Sequence, residues 1–464
     1  MSATITTDYL VVGAGAMGMA FTDALVDHAD VHVTLVDRRH TAGGHWLDSY
    51  PFVQLHQASV FYGVASTLLG HGAIQQSGPE RGLGERARQS EVVAYYDNVL
   101  RRRLIDSGRV TFLGSVDHHV EQDTHLITCR VSGRTRSIDV RRRVVDATYS
   151  APTIPATTPA PFVVADDVPV IPVGELASMS EAPGHYVIAG SGKTATDAIV
   201  WLLGHDVDPD RIIWVRPREP WMLNRSVVQP DPLVALRLAT DTMIAATQAA
   251  DVDELFLHLE DAGVMLRIDP AVTPTMAKTP TLAEWELSLL RTIERVVRLG
   301  HIRTVTSREI VLEHGSVALP PNSLVVHCAA SGLRYPPLVP IFGADRIRLQ
   351  PIRAGFPCFN AALAGYVAAT RDDDRERNRL CPPNRLSDSP LDWIHMQSRG
   401  SAATRAFNAE PDIEAWAHAC ALNPSRIDPS VRDNPAVRAA IARLAEWSSA
   451  GVDRLIQLGR RVRV

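Results

Sequence analysis

The succession of apolar stretches and glycine turns predicts a βαβ unit at the start of the chain. Residues 8–12 form a short apolar run that leads into a glycine-rich turn, as a buried parallel strand does. Residues 17–27 continue as an apolar helical stretch, and residues 31–37 form a second strand. A strand, a helix and a second strand in this order open a doubly wound sheet.

The same pattern returns in the middle of the chain. Residues 186–190 are a strand that enters a second glycine turn, a helix follows to Leu203, and residues 212–215 are the next strand. The other predicted elements are helices at about 85–106 and 358–369, a helical region from 232 to about 298, strands at 110–114, 126–131 and 137–145, a strand pair within 302–319, a strand at 323–328 that we expect to return to the first domain, and a mostly helical tail from 387.

Composition narrows the function classes. Apolar residues make up 45% of the chain and charged residues 21%, as in an ordinary globular protein. The net charge of -5 gives no broad attraction to nucleic acid or to an anionic membrane, so we expect a small-molecule substrate and neither of those partners. The five cysteines form no CxxC pair, which argues against a disulfide reductase. The apolar run at 9–21 contains three glycines and follows no basic segment, so we expect a cytoplasmic protein.

The first glycine turn has the spacing of a dinucleotide-binding motif. In residues 13–18 (GAGAMG), Gly13 permits the tight turn, Gly15 lets a pyrophosphate approach the backbone, and Gly18 allows close packing of the helix on the strand. The N–H groups at the start of the helix would face the phosphates. Asp37 ends the second strand, where an acid accepts hydrogen bonds from a ribose.

The residues after Asp37 distinguish FAD from NAD. The segment 37–46 (DRRHTAGGHW) resembles the acid and GGxW segment of flavin-containing and Baeyer–Villiger monooxygenases, in which this turn passes along the flavin pyrophosphate. The resemblance implies a two-domain flavoprotein of class B, and it brings residues 54–59 up to the flavin ring. His56 and Gln57 are then flavin-edge candidates, although a histidine there is equally often a satisfied structural residue.

The resemblance also implies two hand-over turns between the nucleotide-binding sheets, at 145–149 (VDATY) and 328–332 (CAASG). Both depart from the family's ATG pattern, because Tyr149 replaces a glycine and Ser331 replaces a threonine. The family fingerprint FxGxxxHxxx(Y/F) is absent from the linker before the second glycine turn. The residues expected to contact FAD are Gly13, Gly15, Ala16, Met17, Gly18, Asp37, Arg38, Gly44, His45, Trp46, Gln57, Val116, Ala147 and Gly332.

The second glycine turn, 190–195 (GSGKTA), predicts an NADPH site. The next strand ends at Arg216 and Arg218, where an NAD-binding fold would carry an acid, and arginines suit a 2′-phosphate. The alternative is that both arginines are surface residues that form ion pairs. A P-loop is excluded because Val187 stands five residues before Gly192, where that motif needs a glycine. The residues expected to contact NADPH are Gly190, Gly192, Lys193, Thr194, Arg216 and Arg218.

These predictions define an α/β protein with two Rossmann-like, doubly wound domains and a helical C-terminal extension. A proline-rich stretch follows Val145, as a linker would. The predicted segments are 1–165 and 321–385 for the two parts of the FAD-binding domain, 166–320 for the NADPH-binding domain, and 386–464 for the extension. The extension has no counterpart in the family pattern, and it would either cap the cleft or form a dimer surface in a homo-oligomer.

The resemblance implies a monooxygenase that uses FAD, NADPH and molecular oxygen. One oxygen atom would pass from a flavin hydroperoxide to a small-molecule substrate, and the catalytic residues are unknown because the cofactor carries the chemistry. Two alternatives stay open: an FAD-dependent dehydrogenase or oxidase without oxygenation, and a redox-inactive dinucleotide-binding protein. We expect no metal, because His118, His119 and His125 have no carboxylate or thiolate at a ligand spacing.

Overall fold

The computed structural model describes residues 4–330 and 332–460. Within them the strands are β1 (Ile5–Val12), β2 (Val33–Val36), β3 (Gly63–Val64), β4 (Thr67–Leu68), β5 (Val110–Leu113), β6 (Val116–Glu121), β7 (Thr124–Cys129), β8 (Thr135–Asp146), β9 (Val163–Val164), β10 (Val170–Pro172), β11 (His185–Ala189), β12 (Ile212–Val215), β13 (Trp221–Asn224), β14 (Met265–Arg267), β15 (Thr281–Leu282), β16 (Val296–Val297), β17 (Ile302–Val305), β18 (Glu309–Leu312), β19 (Gly315–Ala318), β20 (Ser323–His327) and β21 (Arg346–Arg348).

The helices in the same residues surround these sheets. They are α1 (Ala16–His28), α2 (Gln89–Asn98, continued as a π-helix over Val99–Ile105), α3 (Lys193–Leu203), α4 (Pro232–Gln248), α5 (Val252–Asp261), α6 (Glu284–Leu290), α7 (Pro357–Thr370), α8 (Asp374–Leu380), α9 (Pro390–Asn408), α10 (Pro411–Ala419) and α11 (Pro435–Arg460). None of the described helices is both long and apolar enough to cross a membrane.

The first sheet combines a parallel half with an antiparallel meander. Its strands follow the order β5-β2-β1-β8-β7-β6, and β21 also pairs with β8. Strands β5, β2, β1, β8 and β21 run parallel, whereas β6, β7 and β8 form the meander. Every residue of β2 is buried, as expected for a parallel strand covered on both faces. The helices α1 and α7 pack together on this sheet, with Phe21 and Phe359 in their core.

The second sheet is entirely parallel and has the order β10-β20-β11-β12-β16. The expectation that the strand at 323–328 returns to the first sheet is wrong, because β20 pairs with β11 on one side and β10 on the other. All five residues of β20 are buried, and an apolar run does not reveal which of two sheets will bury it. The chain returns to the first sheet only with β21.

Two regions contain more strands than the sequence predicted. The predicted pair at 302–319 is three strands, β17 to β19, with β9 added to the sheet. The predicted helical region at 232–298 contains α4, α5 and α6 but also β14, β15 and β16. Strands β9, β14, β15 and β16 are two or three residues long, so they are too short to show a periodicity. The predicted fold class, with two Rossmann-like sheets and a helical C-terminal region, is confirmed.

The C-terminal helices pack on both halves of their own chain. Trp393 of α9 and Leu455 of α11 share a core with Phe256 of α5. Phe407 at the end of α9 instead enters the core of the first sheet, and Trp416 of α10 stacks on Phe359 of α7 with ring centroids 5.9 Å apart. The extension therefore ties the second half of the molecule to the first.

Substitution of Gly451 by valine is expected to weaken this attachment. A Cβ atom at Gly451 of α11 would lie 2.8 Å from the Cα atom of Met243 in α4, so the two helices must separate. Overpacking of this kind costs about 1–3 kcal/mol, which a urea unfolding midpoint would measure. Ala450→Val, at the exposed neighbouring position, is the control and should change the midpoint little. Equal effects of the two substitutions would show that the contact with Met243 is unimportant.

Candidate functional site

The first glycine turn joins β1 to α1. The N–H of Gly13 donates to the carbonyl oxygen of Val36 over 2.8 Å, and Gly13 has a φ of +104° that favours glycine. A Cβ atom at Gly18 would lie 1.9 Å from the carbonyl oxygen of Gly13. The helix therefore packs against the turn only because position 18 is a glycine, which is the role that the motif predicted.

An open backbone cradle lies at the start of α1. The helix follows Gly15 with no side-chain cap and no acid in its first turn, so the first N–H groups, at Ala16 and Met17, face no protein anion. Gly15 lies against Gly44, where a Cβ atom would stand 2.9 Å from the Cα atom of Gly15. The cradle fits a pyrophosphate, because backbone alone lines it and the helix dipole favours an anion.

Asp37 holds the glycine turn in place. Its Oδ2 atom accepts from the N–H of Ala14 over 2.7 Å, and Oδ1 accepts from the N–H of Arg39 over 2.8 Å. A carboxylate has lone pairs beyond these two bonds, so Asp37 is still able to accept from a ribose hydroxyl. Arg38 is exposed beside it. The N–H of Val116 donates to the carbonyl oxygen of Asp37, which brings the start of β6, expected to contact FAD, next to Asp37.

The aromatic part of the GGHW segment faces the protein interior. Trp46 is 6% exposed, and its indole N–H donates to the hydroxyl of Tyr62 over 2.6 Å. His45 stacks on Trp46, and burial together with nearby Arg39 lowers the pKa of His45 to about 4. Gly44 therefore offers its backbone to a ligand, whereas the side chains of His45 and Trp46 support the turn from behind.

The hand-over segments meet each other. The N–H of Ala147 donates to the carbonyl oxygen of Val12, and its methyl group lies beneath the glycine turn, 3.1 Å from where a Cβ atom at Gly18 would stand. The N–H of Thr153 donates to the carbonyl oxygen of Gly332 over 2.9 Å. Ser331, which replaces the threonine of the family pattern, lies outside the described residues.

His56 is an uncharged histidine. Its pKa is lowered to about 3, first by burial and then by Lys193, Arg225 and Arg86. Neither ring nitrogen of His56 has a hydrogen-bond partner within residues 4–330 and 332–460. Its carbonyl oxygen accepts from Arg225 over 3.2 Å. The imidazole is thus neutral near pH 7 and free to donate to or accept from a bound molecule, with Gln57 partly exposed next to it.

The second glycine turn repeats the geometry of the first. The N–H of Gly190 donates to the carbonyl oxygen of Val215 over 3.0 Å, and a Cβ atom at Gly190 would lie 2.9 Å from the carbonyl oxygen of Cys328. A Cβ atom at Gly192 would meet no atom within 4 Å, so the turn is open there. Helix α3 follows with no side-chain cap and no acid in its first turn, and Thr194 is partly exposed on it. This turn also fits a pyrophosphate.

Lys193 points into the protein rather than toward the glycine turn. Its ammonium group pairs with Asp197, one helical turn along α3, and lies 3.6 Å from Oε1 of Glu286. Asp197 also accepts from the hydroxyl of Tyr50 over 2.7 Å. The predicted phosphate contact of Lys193 therefore requires these pairs to break, and the described structure places the lysine in a buried ion network instead.

The ion network continues to Arg225, which the sequence did not single out. Arg225 is 1% exposed and pairs with Glu80 and with Oε2 of Glu286, the latter over 2.6 Å. Glu80 in turn pairs with Arg86 over 2.7 Å. Burial raises the pKa of Glu286, but Lys193 and Arg225 lower it more strongly, to about 2. The network joins the loop at 80–86 to the second half of the molecule, and no pattern in the sequence indicated it.

The low pKa of Glu286 predicts loss of stability in acid. The unfolded carboxyl titrates near 4.5 and the folded one at about 2, so its contribution is complete above pH 4.5 and is lost as the pH falls toward 2. We expect urea unfolding midpoints to fall across this range, and less steeply in Glu286→Gln. Glu284→Gln, an exposed change on the same helix, should leave the slope as in the wild type. An unchanged slope in Glu286→Gln would contradict this assignment.

The two predicted phosphate arginines already have protein partners. Arg216 is 2% exposed, and its Nε donates to Oε1 of Glu219 over 2.8 Å. Arg218 donates to Oδ2 of Asp388 over 2.8 Å and to the carbonyl oxygen of Thr275 over 3.0 Å. The alternative of protein ion pairs is therefore realised in this structure, although Arg216 is buried rather than on the surface. Its Nη1 atom is buried without a hydrogen-bond partner.

The histidines of the meander do not assemble a metal site. The Nε2 atom of His118 lies 3.1 Å from Nδ1 of His125, and burial followed by His125 lowers the pKa of His118 to about 4. His119 faces Glu121 instead. No group of three or more metal-binding side chains occurs among the residues that the structure describes.

Part of the chain matches a known domain family, and its fold is similar to that of solved structures. The NAD(P)-binding Rossmann-like domain family matches residues 11–71, which contain the first glycine turn and the GGHW segment. A polycyclic ketone monooxygenase from the thermophilic fungus Thermothelomyces thermophila superposes with a TM-score of 0.53 and 13% identity, over 98% of this chain and 90% of that one. A flavin-containing monooxygenase from Stenotrophomonas maltophilia has a TM-score of 0.44 and 13% identity, over 82% of this chain and 100% of that one.

The chain shares the fold of this polycyclic ketone monooxygenase, which agrees with the resemblance found in residues 37–46. The uncharacterized protein Rv2000 of Mycobacterium tuberculosis is 38% identical over 423 residues, which cover 90% of this chain and 78% of that protein. The uncharacterized protein Mb2023 of Mycobacterium bovis matches to the same extent. This chain belongs to the family of these mycobacterial proteins.

Proposed function

We propose that the protein is an FAD- and NADPH-dependent oxidoreductase, and specifically a monooxygenase that transfers one oxygen atom from dioxygen to a small molecule. The observation that carries the proposal is the pair of matching glycine turns, each tied to the strand beside it by the same backbone hydrogen bond. The NAD(P)-binding family match and the superfamily fold agree with these two cofactors. No nucleic acid or membrane is needed for this activity.

FAD would lie on the first glycine turn. Its pyrophosphate would occupy the cradle between Gly15 and Gly44, and Asp37 would accept from the adenosine ribose. The Val116 backbone would border the adenine. The chain at His56 and Gln57 would reach the flavin ring, and the uncharged His56 would offer one donor and one acceptor there without adding charge.

NADPH would lie on the second glycine turn, with its pyrophosphate over Gly192 and the start of α3. The bound cofactors would supply hydride transfer and the activation of dioxygen, and this chemistry needs little acid–base work from the protein. The residues of the chain would orient the two cofactors and exclude water. The ion network around Arg225 would hold the His56 loop against the second half of the molecule, since Arg225 binds the His56 carbonyl oxygen.

The domain limits also remain a proposal, with two changes. We assign the chain up to about residue 160 to the FAD-binding domain rather than 1–165, because β9 pairs with β17 of the second half. The NADPH-binding domain ends after residue 328 rather than at 320, because β20 belongs to the second sheet. The return segment then runs from there to about 385. The C-terminal extension would restrict the movement of the two domains, because α9 enters both cores.

The test is reduction followed by oxygenation. Protein purified with FAD would be mixed with NADPH or NADH without oxygen, and the bleaching of flavin absorbance would be followed. Isotopically labelled dioxygen would then be admitted with a panel of small thioethers, amines and ketones, and mass spectrometry would search for labelled products. Labelled product supports a monooxygenase, whereas a protein that binds neither FAD nor a nicotinamide nucleotide would refute the proposal.

A second candidate is an FAD-dependent dehydrogenase or oxidase that does not use the second nucleotide site. The observation in its favour is that Arg216 and Arg218 are both engaged by acids, Glu219 and Asp388. In that case the substrate, but not NADPH, would reduce the flavin. An oxidase would then reduce dioxygen to hydrogen peroxide, and the oxidised small molecule would contain no isotopic label.

A further inference from the structure

Arg216 occupies the position in the second sheet that Asp37 occupies in the first. Asp37 directly follows Val36, the last residue of β2, whose carbonyl oxygen accepts from the N–H of Gly13. Arg216 follows Val215 of β12 in the same way, because the carbonyl oxygen of Val215 accepts from the N–H of Gly190. The N–H of Arg216 donates to the carbonyl oxygen of Val297 over 2.9 Å, as that of Asp37 donates to Leu113 over 3.1 Å. A guanidinium group therefore stands where an acid would meet the ribose of a bound dinucleotide.

The guanidinium of Arg216 is fixed before any ligand arrives. It lies over the ring of Trp214, 4.5 Å from the ring centroid, and the indole N–H of Trp214 donates to the carbonyl oxygen of Gly190 over 2.8 Å. The orientation of Arg216 is thus linked to the glycine turn itself. With Nε bound to Glu219 and Nη1 buried without a partner, the group keeps unused donor capacity for an anion.

Glu219 binds a second arginine, Arg298, next to Arg216. Its Oε1 atom accepts from Nε of Arg298 over 2.6 Å as well as from Arg216, and Arg298 also donates to Oδ2 of Asp269 over 2.6 Å. Arg216, Arg298 and Asp269 line one cleft of about 440 Å³ beside the ends of β12 and β16. Arg291 and Glu294 complete its charged lining.

We propose that Glu219 is the specificity-determining residue of the second nucleotide site, setting the selection between nucleotides with and without a 2′-phosphate. This inference rests on the proposed function, in which the second glycine turn binds a nicotinamide dinucleotide. Glu219 positions Arg216 and Arg298 together, but it also occupies the donors that a 2′-phosphate needs. A 2′-hydroxyl leaves this bridge intact, whereas a 2′-phosphate must compete with the carboxylate for both guanidinium groups.

Removal of the carboxylate charge should therefore favour the phosphorylated nucleotide. Glu219→Gln keeps the shape of the side chain but weakens its hold on the two arginines, because charge-assisted bonds are about twice as strong as neutral ones. We expect the preference for the 2′-phosphorylated nucleotide to rise about tenfold, which corresponds to about 1.4 kcal/mol.

The test measures binding without turnover. Isothermal titration calorimetry of the FAD-loaded protein with 2′-phospho-ADP-ribose and with ADP-ribose gives the ratio of the two dissociation constants. Glu219→Gln should raise this ratio, mainly by tighter binding of the phosphorylated probe. Glu294→Gln, the same charge change in the same cleft at an exposed side chain, should leave the ratio as in the wild type.

A second variant covers a Glu219→Gln protein that fails to fold. Arg298→Met should weaken binding of the 2′-phosphorylated probe and leave ADP-ribose binding unchanged. The inference is overturned if the wild type binds both probes and neither variant changes their ratio, or if Glu294→Gln changes it as much as Glu219→Gln does. A wild type that binds neither probe overturns the NADPH part of the proposed function and the inference with it.

Discussion

Gly44→Ala is expected to yield a protein that purifies without FAD. The new Cβ atom would lie 2.9 Å from the Cα atom of Gly15, inside the cradle that we propose for the pyrophosphate. Position 44 also has a φ of +57°, which costs a residue with a Cβ atom about 1–2 kcal/mol. FAD content, measured by visible absorbance per mole of protein, should fall more than tenfold, since a loss above about 1.4 kcal/mol changes affinity by that factor.

Gly82→Ala is the matched control, and it distinguishes the effect of backbone strain from the effect of filling the cradle. Gly82 has a φ of +88°, and a Cβ atom there would meet nothing within 4 Å. Gly82→Ala therefore carries a comparable strain away from the site and should retain FAD. A wild-type FAD content in Gly44→Ala would show that the turn at Gly43 and Gly44 does not contact the cofactor.

Arg225→Met is expected to cause the largest loss of stability of any single substitution in the ion network. Arg225 is 1% exposed and compensates the buried carboxylates Glu80 and Glu286. Removing one partner of a buried ion pair costs about 3–5 kcal/mol, because the remaining charge stays out of water. The free energy of unfolding from urea titration near pH 7 measures this loss.

Two further proteins test the cause. Arg237→Met removes an exposed arginine that pairs with Asp241 one helical turn away, and it should cost less than about 1 kcal/mol. The double variant of Arg225→Met with Glu286→Gln should recover part of the loss, because it removes one stranded carboxylate. A double variant no more stable than Arg225→Met, or an Arg225→Met protein as stable as the wild type, would show that the buried charges are not coupled.

The buried network engages Lys193, which the sequence predicted to contact NADPH. Lysine at the first position of α3 invites a phosphate contact from the sequence alone. In the structure its ammonium group is held by Asp197 and Glu286, on the side of α3 that faces Tyr50. A helix position specifies the location of a Cα atom, but the direction of a long side chain depends on which charges surround it.

The sequence by itself determined the two Rossmann-like units. Glycines in tight turns, short apolar strands and the helices after them are local requirements, since they depend on φ angles and on burial of neighbouring residues. Gly13, Gly18 and Gly190 consequently stand at the turns where the motifs predicted them, whereas the hydrogen bond from the Ala14 N–H to Asp37 was not predicted. The GGHW segment likewise lies in the part of the chain that matches the NAD(P)-binding Rossmann-like family.

The tertiary structure decided what those units contact. Glu80 and Arg225 are 145 positions apart, and Glu219 reaches Arg298 from 79 positions away. The tertiary structure also decided that β20 joins the second sheet. An apolar strand is compatible with either sheet, because both are parallel there and are covered on both faces. Ion pairs and strand partners depend on distances that exist only after the chain has folded, whereas turns and periodicities are present in every short segment of the sequence.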